Sequence, residues 1–275
     1  MPISVVTGAT GGIGRFIALG LLQAGHRLII VGRDPGRGND ALRWLRARAP
    51  SARVELELAD LSLLAETRAL AQRILDRHPI IDRLVNNAGV FSAQREETRE
   101  GHERVIAVNY LSPFVLTQAL LPALLAAGVA RIVNVGSSTS DHARIDVTDL
   151  ECRRRWGMVR AYGQSKLALG MATFAWARRL RESGVTVNVV HPGTVATGLI
   201  REKGAIGLAW RIMAPFALTE EEGADTPLHV ALSSDFAAIT GAYVKKRRAA
   251  SPNRLMLDGA LVERLWRETE ALIRP

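Results

Sequence analysis

Thr7-Gly8-Ala9-Thr10-Gly11-Gly12-Ile13-Gly14 stands between an apolar, β-branched run at residues 3–7 and a helical pattern at 14–24. Glycines at such a junction let a strand turn tightly into a helix, and the helix start offers unpaired N–H groups to an anion. Alone this is a weak signal, since any tight strand-to-helix turn can look similar. As the first β-to-α turn of the chain, it predicts a dinucleotide pyrophosphate seated over Gly8, Thr10, Gly11, Gly12, Ile13 and Gly14.

Outward from that turn, short apolar runs alternate with longer helical patterns. The runs predict strands at 3–7, 27–31, 53–58, 83–86, 131–135, 186–190 and 242–244. Helical patterns fill 14–24, 39–49, 62–77, 101–127, 160–183 and 220–233, and a terminal helix is expected at 261–273 within the tail 249–275. Strands without polar alternation, separated by helices, indicate a parallel sheet covered on both faces. Right-handed crossovers then give a doubly wound (Rossmann) α/β sheet of about seven strands, with ligands at the strands' carboxyl ends. No repeat or linker composition divides the 275 residues, so one catalytic domain, 1–275, is expected.

The second strand closes on Ile30-Val31-Gly32-Arg33-Asp34. Where an NAD site places a carboxylate for the ribose 2′-hydroxyl there is Gly32, followed by Arg33. A guanidinium can grip a 2′-phosphate in bidentate fashion, so NADP(H) is expected over NAD(H). Two alternatives stand: Asp34 reaching the ribose, or Arg33 simply facing solvent. Asp60 and Leu61 end the third strand near the expected adenine. Asn86-Asn87-Ala88-Gly89 follows the fourth strand, where small residues let a cofactor come close.

Tyr162-Gly163-Gln164-Ser165-Lys166 opens a long helical pattern. Residues i and i+4 share a helix face, so phenol and ammonium can face one cleft. An adjacent ammonium favours the phenolate and would draw the tyrosine's pKa toward neutrality. The chain has only four lysines among 36 basic residues, which marks Lys166 out.

In this order, residues 7–14, Asp60, 86–89, Asn109, Ser137, Tyr162 with Lys166, and His191-Pro192-Gly193 resemble the short-chain dehydrogenase/reductase family over nearly the whole chain. The resemblance implies oxidoreduction between a carbonyl and an alcohol. It implies that Ser137, or its neighbour Ser138, hydrogen-bonds the substrate oxygen, that Tyr162 exchanges its proton, and that Lys166 binds the nicotinamide ribose. Asn109 would anchor a water, and Asn87, Ala88, Gly89, Pro192, Gly193, Val195 and Thr197 would border the cofactor. A homodimer or homotetramer built on helices 101–127 and 160–183 is also implied.

Ser137 and Tyr162 lie 25 residues apart (162 − 137), which is similar to the retinol dehydrogenase-like branch and its bacterial relatives. So are Val108-Asn109-Tyr110-Leu111-Ser112-Pro113-Phe114, the stretch Trp210-Arg211-Ile212-Met213-Ala214-Pro215-Phe216, and Leu265-Trp266. The chain departs from that branch's membrane-bound members by opening Met1-Pro2-Ile3 on its first strand without a hydrophobic anchor, which points away from a retinoid. Residues 194–217, rich in Ile, Leu, Trp and Phe, are the expected substrate lid, a peripheral membrane contact or a core helix.

Composition excludes other classes. A net charge of +9 invites a polyanion, but the basic residues are scattered and carry no nucleic-acid-binding spacing. One cysteine forms no internal disulfide, no histidine cluster has metal spacing, and no uninterrupted apolar stretch reaches transmembrane length. A cytoplasmic enzyme with a small-molecule substrate is expected. The alternative is a catalytically silent NADP-binding sensor or scaffold.

Overall fold

The computed structural model describes residues 1–195 and 217–274. β1 (Ile3–Thr7), β2 (Arg27–Gly32), β3 (Val54–Leu58), β4 (Arg83–Asn86), β5 (Ala130–Val135), β6 (Val185–His191), β7 (Tyr243–Lys245) and β8 (Arg248–Ala250) form one sheet. Its order is β3-β2-β1-β4-β5-β6-β7-β8. All neighbours are parallel except β7 and β8. The order reverses between β1 and β4, so the crevice above these two strands is where this topology binds ligands.

The helices are α1 (Gly12–Gln23), α2 (Pro35–Arg48), α3 (Leu64–Leu75), α4 (Arg104–Ile106), α5 (Ser112–Ala126), α6 (Met158–Arg179), α7 (Glu220–Leu232) and α8 (Gly259–Leu272). A π-helical turn, Ala107–Leu111, joins α4 to α5 without a break. One core packs Val6, Ile17, Leu21, Ile30, Leu45 and Val230. The other packs Val5, Leu84, Phe114, Leu120, Trp176 and Trp266 on the opposite face of the sheet. Inner strands buried on both faces lack strict alternation, whereas the edge strand β3, Val54-Glu55-Leu56-Glu57-Leu58, alternates.

The architecture agrees with the expected sheet of about seven strands. There are eight strands among the described residues, the eighth joined to β7 by a hairpin over Lys245-Lys246-Arg247-Arg248. Lys246 and Arg247 sit at φ 47 and 62, the left-handed pair that a two-residue hairpin turn demands. Arg247 also pairs with Asp225 of α7. The run Arg104–Ala126 is long and apolar enough to cross a membrane by length and composition, yet 78% of its apolar window is buried in the protein, as in a core helix. One boundary is corrected: the helical pattern expected at 101–127 begins only at Arg104, where Glu103 accepts the Ile106 N–H at 2.8 Å as its cap.

The C-terminal helix α8 packs on α5 and α6. The Trp266 ring of α8 packs against Phe114 of α5 and Trp176 of α6, with centroids 4.7 and 4.8 Å away. The Arg179 guanidinium lies 3.8 Å above the same indole while pairing with Glu263.

Arginine also serves inside the fold. Arg83 and Arg131, neighbours across β4 and β5, donate to the carbonyls of Ala231, Val230 and Ser233. They satisfy the open end of α7, where a cation is favoured.

Candidate active site

The glycine turn forms a cradle open at the carboxyl ends of β1 and β2. Gly11 caps α1 without a side-chain hydrogen bond, so the first N–H groups of that helix are not taken by their own cap. A Cβ on Gly14 would lie 2.4 Å from the Gly8 carbonyl oxygen, so only glycine lets the helix start this close to the turn. Asn87 ties the cradle to β4: its Nδ2 donates to Thr7 O at 2.9 Å. The Thr7 hydroxyl in turn accepts the N–H groups of Asn87 and Ala88, both at 3.0 Å.

At the end of β2, a Cβ on Gly32 would lie 2.3 Å from Thr10 Cγ2. A carboxylate-bearing residue therefore has no room there. Asp34 is the N-cap of α2, accepting the Arg37 N–H at 2.8 Å. The Arg37 guanidinium reaches back to Gly11, within 3.0 Å of where a Cβ would stand. Arg33 is 63% exposed and sits 3.7 Å from Asp60. Burial alone would raise the Asp60 carboxyl; two bonds from Ser62 and the nearby Arg33 and Arg104 outweigh it and hold the group below its ordinary range. Two guanidiniums and one N-capping carboxylate thus surround the carboxyl end of β2.

Farther along the cleft Tyr162 and Lys166 lie one turn apart on α6, both buried. The Lys166 ammonium donates to Val135 O at 2.8 Å and lies 6.0 Å from the Tyr162 ring centroid. Burial pushes Lys166 down to about 8. Burial also raises the Tyr162 phenol, and the Ser137 hydroxyl, its hydrogen-bond partner, opposes that only in part. The expected lowering of the phenol by Lys166 is reversed in the protein alone, because desolvation is the largest effect on both groups.

Asn109 lies in the π-helical turn, fully buried. Its amide clasps Val90 at both backbone atoms, 2.8 and 3.0 Å, and the Ser165 hydroxyl at 3.1 Å. It braces the cleft floor through these protein partners. Gly89 lies between Asn109 and Lys166, its missing Cβ 3.4 Å from Oδ1 and from Nζ.

The cleft has a volume of about 600 Å³. Gly8, Thr10, Gly11, Gly12, Ile13, Gly14, Arg33, Asp60, Leu61, Asn87, Ala88, Gly89, Tyr162, Lys166 and Pro192 all line it. Ser137 is outside that lining and reaches it through Tyr162. Gly193, at φ 93, packs beneath Leu218, and Val195 pairs with Leu218 and stands over Gly223, so neither forms the wall. Thr197 and 196–216 of the expected lid 194–217 lie outside the described residues.

Sequence reasoning missed Arg37, Phe91, Glu96, Arg104 and Glu220 on the wall. Only Arg37 had a signal: Asp34-Pro35 marks a helix start, which puts residue 37 in its first turn. It also missed a buried amide chain in which Asn86 donates to Asn134 and Asn134 to Thr173, both at 2.8 Å, joining β4, β5 and α6.

Comparison with known proteins agrees with this geometry. The short chain dehydrogenase family profile matches residues 2–205. Retinol dehydrogenase 12 of Homo sapiens is 36% identical over 266 residues, covering 96% of this chain and 84% of its own. Polyprenol dehydrogenase of Mus musculus is 36% identical, with 97% and 82% covered. Among solved structures, an uncharacterized protein from Mycobacterium paratuberculosis superposes with a TM-score of 0.80 at 28% identity, covering 99% of this chain and 93% of that one. The Pseudomonas aeruginosa RhlG/NADP active-site complex gives 0.72 at 31% identity, with 88% and 93% covered. A glycine cradle at the switch point, a buried Tyr–Lys pair beside it and these likenesses lead to one assignment. The chain belongs to the short-chain dehydrogenase/reductase family of nicotinamide-dependent oxidoreductases, in its retinol dehydrogenase-like branch.

Proposed function

We propose that the protein is an NADPH-dependent reductase of apolar aldehydes or ketones, running in reverse as an alcohol dehydrogenase. The observation that carries this reading is the buried phenol of Tyr162, hydrogen-bonded to Ser137 and kept protonated by burial. A phenol that holds its proton at neutral pH is an acid, which suits reduction of a carbonyl. When bound, the nicotinamide supplies the hydride. Tyr162 gives its proton to the substrate oxygen, and Ser137 donates a hydrogen bond to that oxygen as charge develops. Lys166 has three donors, of which Val135 takes one, and it serves the nicotinamide ribose with the others. The edge of Phe91 against the Tyr162 ring, centroids 5.2 Å apart, makes the surroundings of the phenol apolar. Relatives named for retinol and polyprenol support an apolar alcohol or its carbonyl counterpart.

The neighbourhood of Gly32 supports NADPH over NADH. A side chain at 32 would crowd Thr10, Asp34 caps α2 through one carboxylate oxygen, and Arg33 and Arg37 line the cleft where they could grip a 2′-phosphate. Assays with aliphatic and isoprenoid aldehydes should show NADPH oxidised in preference to NADH. Arg33→Ala should weaken NADPH about tenfold or more, the loss of a charge-assisted bond of ~1.5–3 kcal/mol, and leave NADH unchanged. Equal effects on both cofactors would remove the phosphate-clamp reading. Tight NADPH binding without turnover of any carbonyl would favour the sensor or scaffold alternative.

The pH profile should carry the mark of Lys166. The ammonium is charged below about pH 8 and neutral above it, whereas Tyr162 stays protonated beyond its ordinary range. Reductive kcat/KM, which reports the free enzyme, should therefore fall as pH rises through about 8. A profile flat until ~10, the ordinary phenol value, would show that the lysine's charge does not govern the reaction.

A further inference from the structure

Ser137 sits on a short connection whose hold comes from the next strand. β5 ends at Val135, and Gly136 and Ser137 lead into a 3₁₀ turn, Ser138–Asp141. The Gly136 N–H donates to Val190 O at 2.8 Å. Two residues on, the Ser138 N–H donates to His191 Nδ1 at 3.1 Å. A ring nitrogen that accepts carries no proton, so this bond exists only for the neutral imidazole with its hydrogen on Nε2.

The rest of the turn is held independently of His191. The Ser140 hydroxyl donates to Ser137 O at 2.7 Å, and Asn253 Nδ2 reaches Ser140 O and Ala143 O. Asp141 accepts from Tyr243 Oη at 2.6 Å and from the Lys245 ammonium. The imidazole is thus the side chain that grips the residue beside Ser137, at the end of the connection nearest the phenol.

We infer that His191 is a positioning residue: its neutral ring holds the Ser137–Ser138 backbone so that the Ser137 hydroxyl meets Tyr162, and protonation of the ring releases that hold. The inference rests on the proposed roles of Ser137 and Tyr162. Three elements set the charge state of the ring. Burial in β6 and the Lys245 ammonium on β7 oppose protonation, while Asp141 of the turn favours it; the balance lies below the ordinary 6.5. The ring is therefore neutral at pH 7 and gains its proton only as pH falls further.

The test compares His191→Asn, whose amide oxygen can stand where Nδ1 stands, with His191→Leu, which fills the space without an acceptor. Carbonyl reduction is followed over roughly pH 5–8, the range in which imidazoles titrate, together with NADPH affinity and melting temperature. The parent should lose kcat as pH falls below 6.5. His191→Leu should lower neutral-pH kcat about five- to tenfold, as expected for one lost hydrogen bond, with NADPH affinity unchanged and the acid limb gone. His191→Asn should restore most of kcat and also lack the acid limb.

Imidazole NMR of the cofactor-free protein should find the Nε2–H tautomer. Parental kcat with an intact acid limb in His191→Leu, or a ring protonated on Nδ1, overturns the inference. If the leucine variant does not fold, the asparagine variant decides: loss of its acid limb supports the inference, and retention overturns it. The NMR result does not depend on turnover, so it separates failure of this inference from failure of the Tyr162 reading.

Discussion

A Tyr162→Phe variant is expected to reduce carbonyls roughly 10²–10⁴-fold more slowly, the usual contribution of a positioned general acid, while binding NADPH as the parent does. The substitution deletes one oxygen and little else. The ring keeps its edge contact with Phe91, and its buried place on α6 is unchanged in volume. The Ser137 hydroxyl retains Thr139 as a partner at 3.0 Å, so the turn is not left with an orphaned group. Lys166 keeps its bond to Val135 O. Single-turnover rates with saturating NADPH isolate the proton-transfer step. If the phenylalanine variant turns over at the parental rate, the proton comes from elsewhere and the proposed mechanism fails.

The largest stability effect is expected at Trp266→Ala, about 3–5 kcal/mol, the range for removing a large aromatic from a core. Its indole, 7% exposed, makes edge contacts with Phe114 and Trp176 and carries Arg179 on its face. Alanine would leave a cavity that two rigid rings on different helices cannot close, and would strip Arg179 of its platform. Urea unfolding should show the midpoint lowered with little change in slope. A loss under about 1 kcal/mol, typical of a surface site, would mean that α8 contributes little to the fold.

Much of the architecture could be read from residues alone because parallel strands buried on both faces write themselves as apolar, β-branched runs, unbroken at 28–31 and interrupted only by Asn188 at 187–190. The cradle was legible for a similarly local reason: its glycines all fall within the short stretch 8–14. What escaped depends on three-dimensional closure. The β7–β8 hairpin turns on Lys246 and Arg247, which lack the Asn-Gly signature of left-handed pairs. Arg37 joins the cleft only because Asp34 starts α2 at that point. Asn134 finds Asn86 and Thr173 across gaps of 48 and 39 positions, which no periodicity reveals. The direction for the Tyr162 phenol differs from expectation because spacing shows a neighbouring charge but not the burial that outweighs it.

The placement of Trp266 also bears on how the chain is made. Phe114 and Trp176 leave the ribosome early, but the ring that covers them is translated 90 residues (266 − 176) after Trp176. At ~5–20 residues per second, that aromatic patch stays bare for on the order of ten seconds. Over that interval the nascent chain adds β6, β7 and β8 alongside an uncovered sticky face. Release before α8 is complete would make the exposure permanent, yielding a self-associating product whose nucleotide cradle is already encoded in full.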